Sequence, residues 1–237
     1  MTEADLQTRL ELAIVAAREA AEITLRYFQQ DNFQVEWKQD ASPVTVADKQ
    51  AEQHLRGRIA ASFPHDGILG EEFGEQPGSS GFRWILDPID GTKSFIHGVP
   101  LYGTLIGIER GDRCVVGVIH MPALDQRVYA AQGGGAWFQM RDDQPVAARV
   151  SDTTDLGQAL FVTSEVEGFN KVGRFDAFTG LQAAAGLTRT WGDCYGYLLV
   201  ATGRAGAMVD PRMSVWDAAS MQPILEEAGG TFTEWLG

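Results

Sequence analysis

Trp84-Ile85-Leu86-Asp87-Pro88-Ile89-Asp90-Gly91-Thr92 is the stretch on which the reading of this chain turns. An apolar run suited to a buried strand empties into two carboxylates, and a Gly-Thr pair then opens a new segment. Strand-ending carboxylates are hard oxygen ligands of the kind Mg²⁺ takes. A helix that starts at a glycine offers backbone N–H groups and a positive dipole end to an anion. The stretch therefore predicts a cation and a phosphate held side by side. Asp, Pro and Gly are also the ordinary residues of a polar turn, so the assignment depends on other acids joining these two.

Composition sets the frame. The 237 residues, 44% of them hydrophobic, suffice for one large α/β domain or two closely packed lobes. With 32 acidic against 19 basic residues the formal charge is −13, which repels phosphate backbones and anionic bilayers. Neither nucleic acid nor a membrane is expected as a partner, and a small anionic substrate would need a metal to bridge it. No apolar run reaches membrane-spanning length, and Met1-Thr2-Glu3-Ala4-Asp5 has neither a basic nor an apolar leader, so a cytoplasmic location is expected. Cys114 and Cys194 form no zinc or disulfide pattern, and His54, His65, His97 and His120 are too scattered for a metal cluster or a nucleophile–base pair.

Periodicity lays out the elements. Leu6, Leu10, Ile14 and Ala17 predict a helix over about 2–30 with Thr2 as N-cap. After a polar connection over 38–43, Ala51, Leu55 and Ile59 predict a second helix that ends at Phe63-Pro64, with Asp48 in its first turn. Short strands follow at 68–69 and 83–86, separated by a loop over 74–81. Apolar runs over 101–109 and 113–120 around Arg110-Gly111-Asp112 predict a hairpin, and further strands fall at 127–131 and 136–140. The second half alternates: strand 160–163, helix 170–178, strand 188–191, helix 194–202, strand 206–210, helix 216–228 and strand 231–235. That alternation predicts helices packed on a sheet, in two lobes, 1–145 and 146–237, that share an interface and act as one catalytic unit.

Acidic residues recur at element ends: Asp48 at a helix start, Glu71-Glu72 after a strand, Asp87 and Asp90 after another, and Asp217 opening a helix. Each alone has a plain explanation in dipole complementation or solvation. Four converging carboxylates, however, are too costly to bury without cations. All-oxygen donors with no Cys/His cluster select Mg²⁺ or Mn²⁺ over Zn²⁺, and the chemistry implied is metal-assisted phosphate ester hydrolysis.

Gly70-Glu71-Glu72, Asp87-Pro88-Ile89-Asp90-Gly91-Thr92 and Val215-Trp216-Asp217-Ala218-Ala219, in this order and at these separations, resemble the signature of the inositol monophosphatase family. The likeness covers nearly the whole chain. It is greatest to the histidinol-phosphate phosphatase branch, through the segments over 42–48, 91–98 and 190–197. The resemblance implies a layered αβαβα sandwich of the inositol monophosphatase and fructose-1,6-bisphosphatase type, in the α/β (α+β) class. It also implies hydrolysis without a covalent phosphoenzyme, two or three Mg²⁺ per site, a homodimer, and a step of histidine biosynthesis. It assigns Glu71, Asp87, the carbonyl of Ile89, Asp90 and Asp217 to the metals. Thr92, with Asp48 behind it as hydrogen-bond partner, and Glu71 activate the water, and the N–H groups of Gly91 and Thr92 hold the phosphate. Glu72 matches a motif position without a direct role.

Substrate choice must come from elsewhere. Inositol-phosphate members of the family tend to carry small residues after the Arg-x-x-Gly run, where this chain has Arg189-Thr190-Trp191-Gly192-Asp193-Cys194-Tyr195. Asp193 can pair with the ammonium of histidinol phosphate, Arg189 resembles a substrate-contacting position, and Asp217 borders the same pocket. The plain alternative is an Arg189–Asp193 ion pair of structural kind. Glu165 is a weaker candidate. Inositol monophosphate is the alternative substrate.

Two other classes are disfavoured. Haloacid-dehalogenase-like phosphatases share an Asp-Gly-Thr run, but here the preceding acid lies three residues back, and strand alternation would point Asp87 and Asp90 to opposite sides. A Ca²⁺-binding structural module lacks the ligand spacing of an EF-hand. Family members usually continue past the strand over 231–235 into a further strand and a terminal helix, while this sequence stops at Gly237; either the chain is shortened or a tail follows it, and loss of that segment would leave an edge exposed.

Overall fold

The computed structural model describes residues 3–30, 35–37 and 43–236. α1 (Glu3–Leu25) and α2 (Val46–Ser62) follow the expected apolar stripes, with Leu6, Leu10, Ala51, Leu55 and Ile59 all buried. Between them β1 (Val35–Trp37) and β2 (Pro43–Thr45) form a two-stranded antiparallel ribbon. The expected N-cap Thr2 and most of the connection over 38–43 lie outside the described residues.

The centre is an eight-stranded sheet built from β3 (Gly67–Gly70), β4 (Gly74–Gln76), β5 (Phe82–Asp90), β6 (Gly103–Arg110), β7 (Arg113–Met121), β8 (Gln126–Ala131), β9 (Ala136–Met140) and β10 (Val146–Ala147). The short helix α3 (Thr92–Ile96) interrupts it after β5. Strand order is β10-β9-β8-β7-β6-β5-β3-β4, antiparallel except where β3 runs parallel to β5. β4 falls inside the expected loop over 74–81, because Gly74 turns the chain back and lets Glu75 pair with Leu69.

A second sheet is small and parallel, in the order β12-β11-β13, from β11 (Leu160–Val162), β12 (Leu187–Arg189) and β13 (Ala207–Met208). α4 (Val166–Lys171), α5 (Phe175–Ala184) and α6 (Asp193–Ala201) pack on it, while α7 (Val215–Ala218) and α8 (Met221–Glu227) lie against the large sheet.

Alternation along the strands sorts the side chains into layers. Ile106, Ile108, Val116 and Val118 face α1 and α2, whereas Leu105, Ile119 and Val128 face α6 and α8. In the small sheet Val162 packs against Leu199 of α6, and Phe161 packs against Phe169 and Phe178 of α4 and α5. The order is therefore α1/α2, large sheet, α6/α8, small sheet, α4/α5, the αβαβα sandwich expected.

Three further departures from the sequence reading fall in the second half of the chain. The helix expected over 170–178 is two, because the chain reverses through Gly173 at φ +68°. The helix expected over 216–228 breaks at Ala219 and Ser220, since Pro223 has no N–H for the carbonyl of Ala219 and its ring crowds that group. The strand expected over 231–235 does not form: a strand exists only with a neighbour's hydrogen bonds, and these residues are held by side chains instead. Phe232 meets Tyr197 edge-on at 6.1 Å, and Trp235 Nε1 donates to the Pro211 carbonyl at 3.3 Å.

Candidate active site

β5 delivers the two acids of the opening motif, and a β-bulge decides where they point. Asp87 opposes Leu105 of β6, but Asp90 opposes Gly103, so three steps along β5 match two along β6. In a regular strand an odd separation places side chains on opposite faces. The extra residue cancels that, which corrects the divergence expected from alternation. Carboxylate oxygens of Asp87, Asp90 and Asp217 lie within 4.8 Å of one another. The bulge is fixed locally: the Ile89 N–H donates to Asp87 Oδ1 at 3.0 Å, and Thr104 Oγ1 donates to the Pro88 carbonyl at 2.9 Å.

Burial and the crowding of like charge shift Asp48, Asp87, Asp90 and Asp217 upward. Burial, then the charges of Glu71, Asp90 and Asp217, raise Asp87 well above the carboxylate range. Burial, then Asp193 and Asp217, do the same to Asp90, against the hydrogen bond from Cys194. Asp217, at the third position of α7 in a capping box with Ser214, is pushed by burial to about 6, and Glu71 adds to the rise. Asp48 is also pushed to about 6, by burial above all and by Glu71 last. Glu71, half-buried just after β3, thus sets its charge against three of the four other acids. A divalent cation fits this donor set: buried carboxylates crowded to this degree hold protons unless a cation replaces them, and all donors are oxygen.

Asp48 closes a capping box with Thr45, its Oδ2 accepting from the Thr45 N–H at 2.8 Å and from Thr45 Oγ1 at 2.6 Å. The Thr92 hydroxyl donates to the Ile89 carbonyl at 3.0 Å. The Thr92–Asp48 hydrogen bond expected from the sequence is therefore not the one made. Each residue satisfies itself within its own helix start, where the partner is three residues away and costs little chain entropy.

Gly91 is the N-cap of α3 with φ 81° and ψ 40°, a left-handed conformation that glycine adopts freely. A β-carbon there would lie 2.9 Å from Asp193 Oδ2 and 3.2 Å from the Leu101 carbonyl. Asp193, itself at φ +50°, is thereby placed against the helix start from the far half of the chain. Burial, then Asp210, raise its pKa to about 6. Arg189 does not join it. It is exposed, its Nη1 donates to the Thr188 carbonyl at 2.7 Å, and it forms no ion pair among the described residues. Glu165 is held at the surface by Lys93 at 3.5 Å and Lys171 at 3.3 Å.

Three polar residues of the site escaped the sequence reading. Asp210 accepts from the Ser164 N–H at 2.9 Å, from Ser164 Oγ at 3.0 Å and from Tyr197 Oη at 3.2 Å. Ser164 Oγ in turn accepts from the Asp193 N–H at 2.7 Å, so Ser164 ties the two acids together. Glu52 is completely buried and receives the N–H groups of Glu72 and Phe73 at 2.7 and 3.2 Å. Asp210 follows a strand, as Glu71 does, and Glu52 lies one helical turn after Asp48; those were the available signals.

A layered α/β sandwich whose bulged central strand ends in clustered acids beside a left-handed glycine opening a helix is built to hold a divalent cation next to an anion. The sequence profile of the inositol monophosphatase family matches residues 5–237, and the chain belongs to that family. It is 46% identical over 228 residues to the histidinol-phosphatase of Chlorobaculum parvum, covering 96% of this chain and 86% of that protein. To the histidinol-phosphatase of Streptomyces coelicolor it is 39% identical, over 94% of this chain and 85% of the relative. The crystal structure of extragenic suppressor protein suhB from Bartonella henselae superposes with a TM-score of 0.83 at 28% identity, covering 94% of this chain and 85% of that one.

Proposed function

We propose that the chain hydrolyses L-histidinol phosphate to L-histidinol and inorganic phosphate, with Mg²⁺ as its cofactor and Mn²⁺ able to replace it. The observation that carries this is the meeting of Asp87, Asp90 and Asp217 directly before the Gly91 helix start, in a chain 46% identical to a histidinol-phosphatase over almost its whole length. Glu71, Asp87, the Ile89 carbonyl, Asp90 and Asp217 would hold two or three cations. When bound, such cations lower the pKa of a water and neutralise charge on the phosphoryl oxygens.

The remaining work falls to the chain itself. The Gly91 and Thr92 N–H groups, at the start of α3, face the phosphate and orient it. Thr92 Oγ1 spends its proton on the Ile89 carbonyl and so presents only lone pairs, which accept from the attacking water and aim it. Asp48 uses Oδ2 for Thr45, and its pKa near 6 suits a proton acceptor at neutral pH. Water adds to phosphorus, the P–O ester bond breaks, and the alcohol leaves with a proton. Asp193, whose acidity is already opposed by Asp210 beside it, supplies negative charge for the ammonium of the substrate.

In this reading the site is shared by lobes 1–145 and 146–237, and the enzyme works as a cytoplasmic homodimer. The support for the dimer is the family resemblance, and the support for the location is the acidic composition without a membrane-spanning helix among the described residues. Parallel assays on histidinol phosphate, inositol monophosphate and a nucleoside 3′,5′-bisphosphate test the substrate. A preference for inositol monophosphate would assign the chain to the alternative activity.

A further inference from the structure

Glu52 is a fully buried carboxylate outside the acid cluster, and its contacts form a clamp on one turn. Oε2 accepts from the Glu72 N–H at 2.7 Å, and Oε1 accepts from the Phe73 N–H at 3.2 Å and from Arg56 Nε at 2.8 Å. Arg56 Nη2 continues to the Gly74 carbonyl. The turn from Glu71 to Gly74 is therefore held at its amide end by Glu52 and at its carbonyl end by Arg56, both from α2. Gly70 is shaped to this: a β-carbon there would fall 1.9 Å from Glu52 Oε1, so only glycine admits the carboxylate. The Glu71 N–H is used on the other side, donating to the Leu86 carbonyl at 3.2 Å, one residue before Asp87.

A buried carboxylate is a costly way to join a helix to a sheet, and Ala51, Leu55 and Ile59 already do so without polar atoms. What Glu52 adds is placement. The turn emerges with its backbone fixed on both sides of Glu71, and α2 also carries Asp48 one helical turn earlier, so one helix sets the position of two of the acids.

We propose that Glu52 is a positioning residue that holds the turn over 71–74 so that Glu71 faces the acid cluster, and that it thereby sets the site's affinity for divalent cations. The inference rests on Glu71 as a metal ligand, as read above. Groups that orient a ligand in this way are typically worth about 10–100-fold in metal affinity.

The measurement is direct Mn²⁺ binding to the full chain, followed by the electron paramagnetic resonance signal of free Mn²⁺, on variants whose circular dichroism matches wild type. Glu52→Gln is expected to weaken Mn²⁺ binding by about 10–100-fold, to raise the Mg²⁺ concentration for half-activation in parallel, and to leave KM for the phosphate ester nearly unchanged at saturating Mg²⁺. Gly70→Ala, which keeps Glu52 but evicts its side chain from this position, is expected to do the same. In a Glu71→Gln background Glu52→Gln should add no further loss, because its effect runs through Glu71. Wild-type Mn²⁺ affinity in folded Glu52→Gln or Gly70→Ala overturns the proposal, as does an equal loss in the Glu71→Gln background. Wild-type affinity in Glu71→Gln alone overturns instead the reading of Glu71 as a ligand, and the proposal with it.

Discussion

The backbone N–H of Cys194 donates to Oδ2 of Asp90 at 2.5 Å, joining the first residues of α6 to the end of β5 across 104 positions of sequence. Asp90 thus belongs to the acid cluster and ties the C-terminal half of the chain to it. An asparagine there keeps an oxygen for the Cys194 N–H but loses the charge.

Asp90→Asn is accordingly expected to keep the fold and to lose turnover by about 10³-fold or more, since a charged group acting on the transition state is removed. Without metal the variant should melt at a higher temperature than wild type, because one of several mutually repelling buried acids is gone. Near-normal kcat at saturating Mg²⁺ would remove Asp90 from the metal site.

Metal-free protein is expected to lose stability as pH rises from about 4 to about 7. Asp48, Asp193 and Asp217 keep their protons to about pH 6 in the folded chain, whereas unfolded aspartates release them near 3.8. Across that interval the folded state binds more protons than the unfolded one, so raising the pH favours unfolding. Mg²⁺ competes with those protons, and its stabilising effect should grow over the same range. Melting curves with chelator and with Mg²⁺, at several pH values, give the difference directly. A difference independent of pH would dissociate these acids from the metal.

Asp193→Asn is expected to raise KM for histidinol phosphate by about 10-fold or more, the cost of losing a charge-assisted contact in a buried site. Hydrolysis of an ester without an ammonium group, such as glycerol phosphate, should change far less. Arg189→Ala is expected to have the smaller effect of the two, since Arg189 is exposed and bonded to Thr188. Equal losses on both esters would make Asp193 part of the scaffold of the phosphate site.

Gly91→Ala must place a side chain at φ 81° with its β-carbon 2.9 Å from Asp193 Oδ2. Left-handed backbone costs about 1–2 kcal/mol for a non-glycine residue, which in a chain of this size lowers the melting temperature by roughly 2–8 °C. Because the strain falls at the start of α3, turnover should fall much further than stability. A variant with wild-type kcat would show that the N–H groups of this turn do not hold the phosphate.

The amino-acid sequence determined most of the helices and strands and the acids at their ends, because apolar periodicity and residues at element ends are local properties; the layer order was legible only through the family resemblance. Leu6, Leu10, Ala51 and Leu55 announce their helices by spacing alone, and Glu71, Asp87, Asp90 and Asp217 stand where strands end or a helix begins. Tertiary structure decided what depends on a neighbour distant in sequence. The residues over 231–235 have strand-like alternation but no pairing partner among the described residues, so they settle on Tyr197 and Pro211 instead. Asp87 and Asp90 should diverge by alternation, and meet because pairing with β6 inserts a bulge between them. Asp193 reaches Gly91, Asp210 reaches Ser164, and Glu52 reaches the turn after Glu71 only once the layers are packed. Spacing along a chain fixes which face a side chain occupies; which distant group it then meets is fixed by packing.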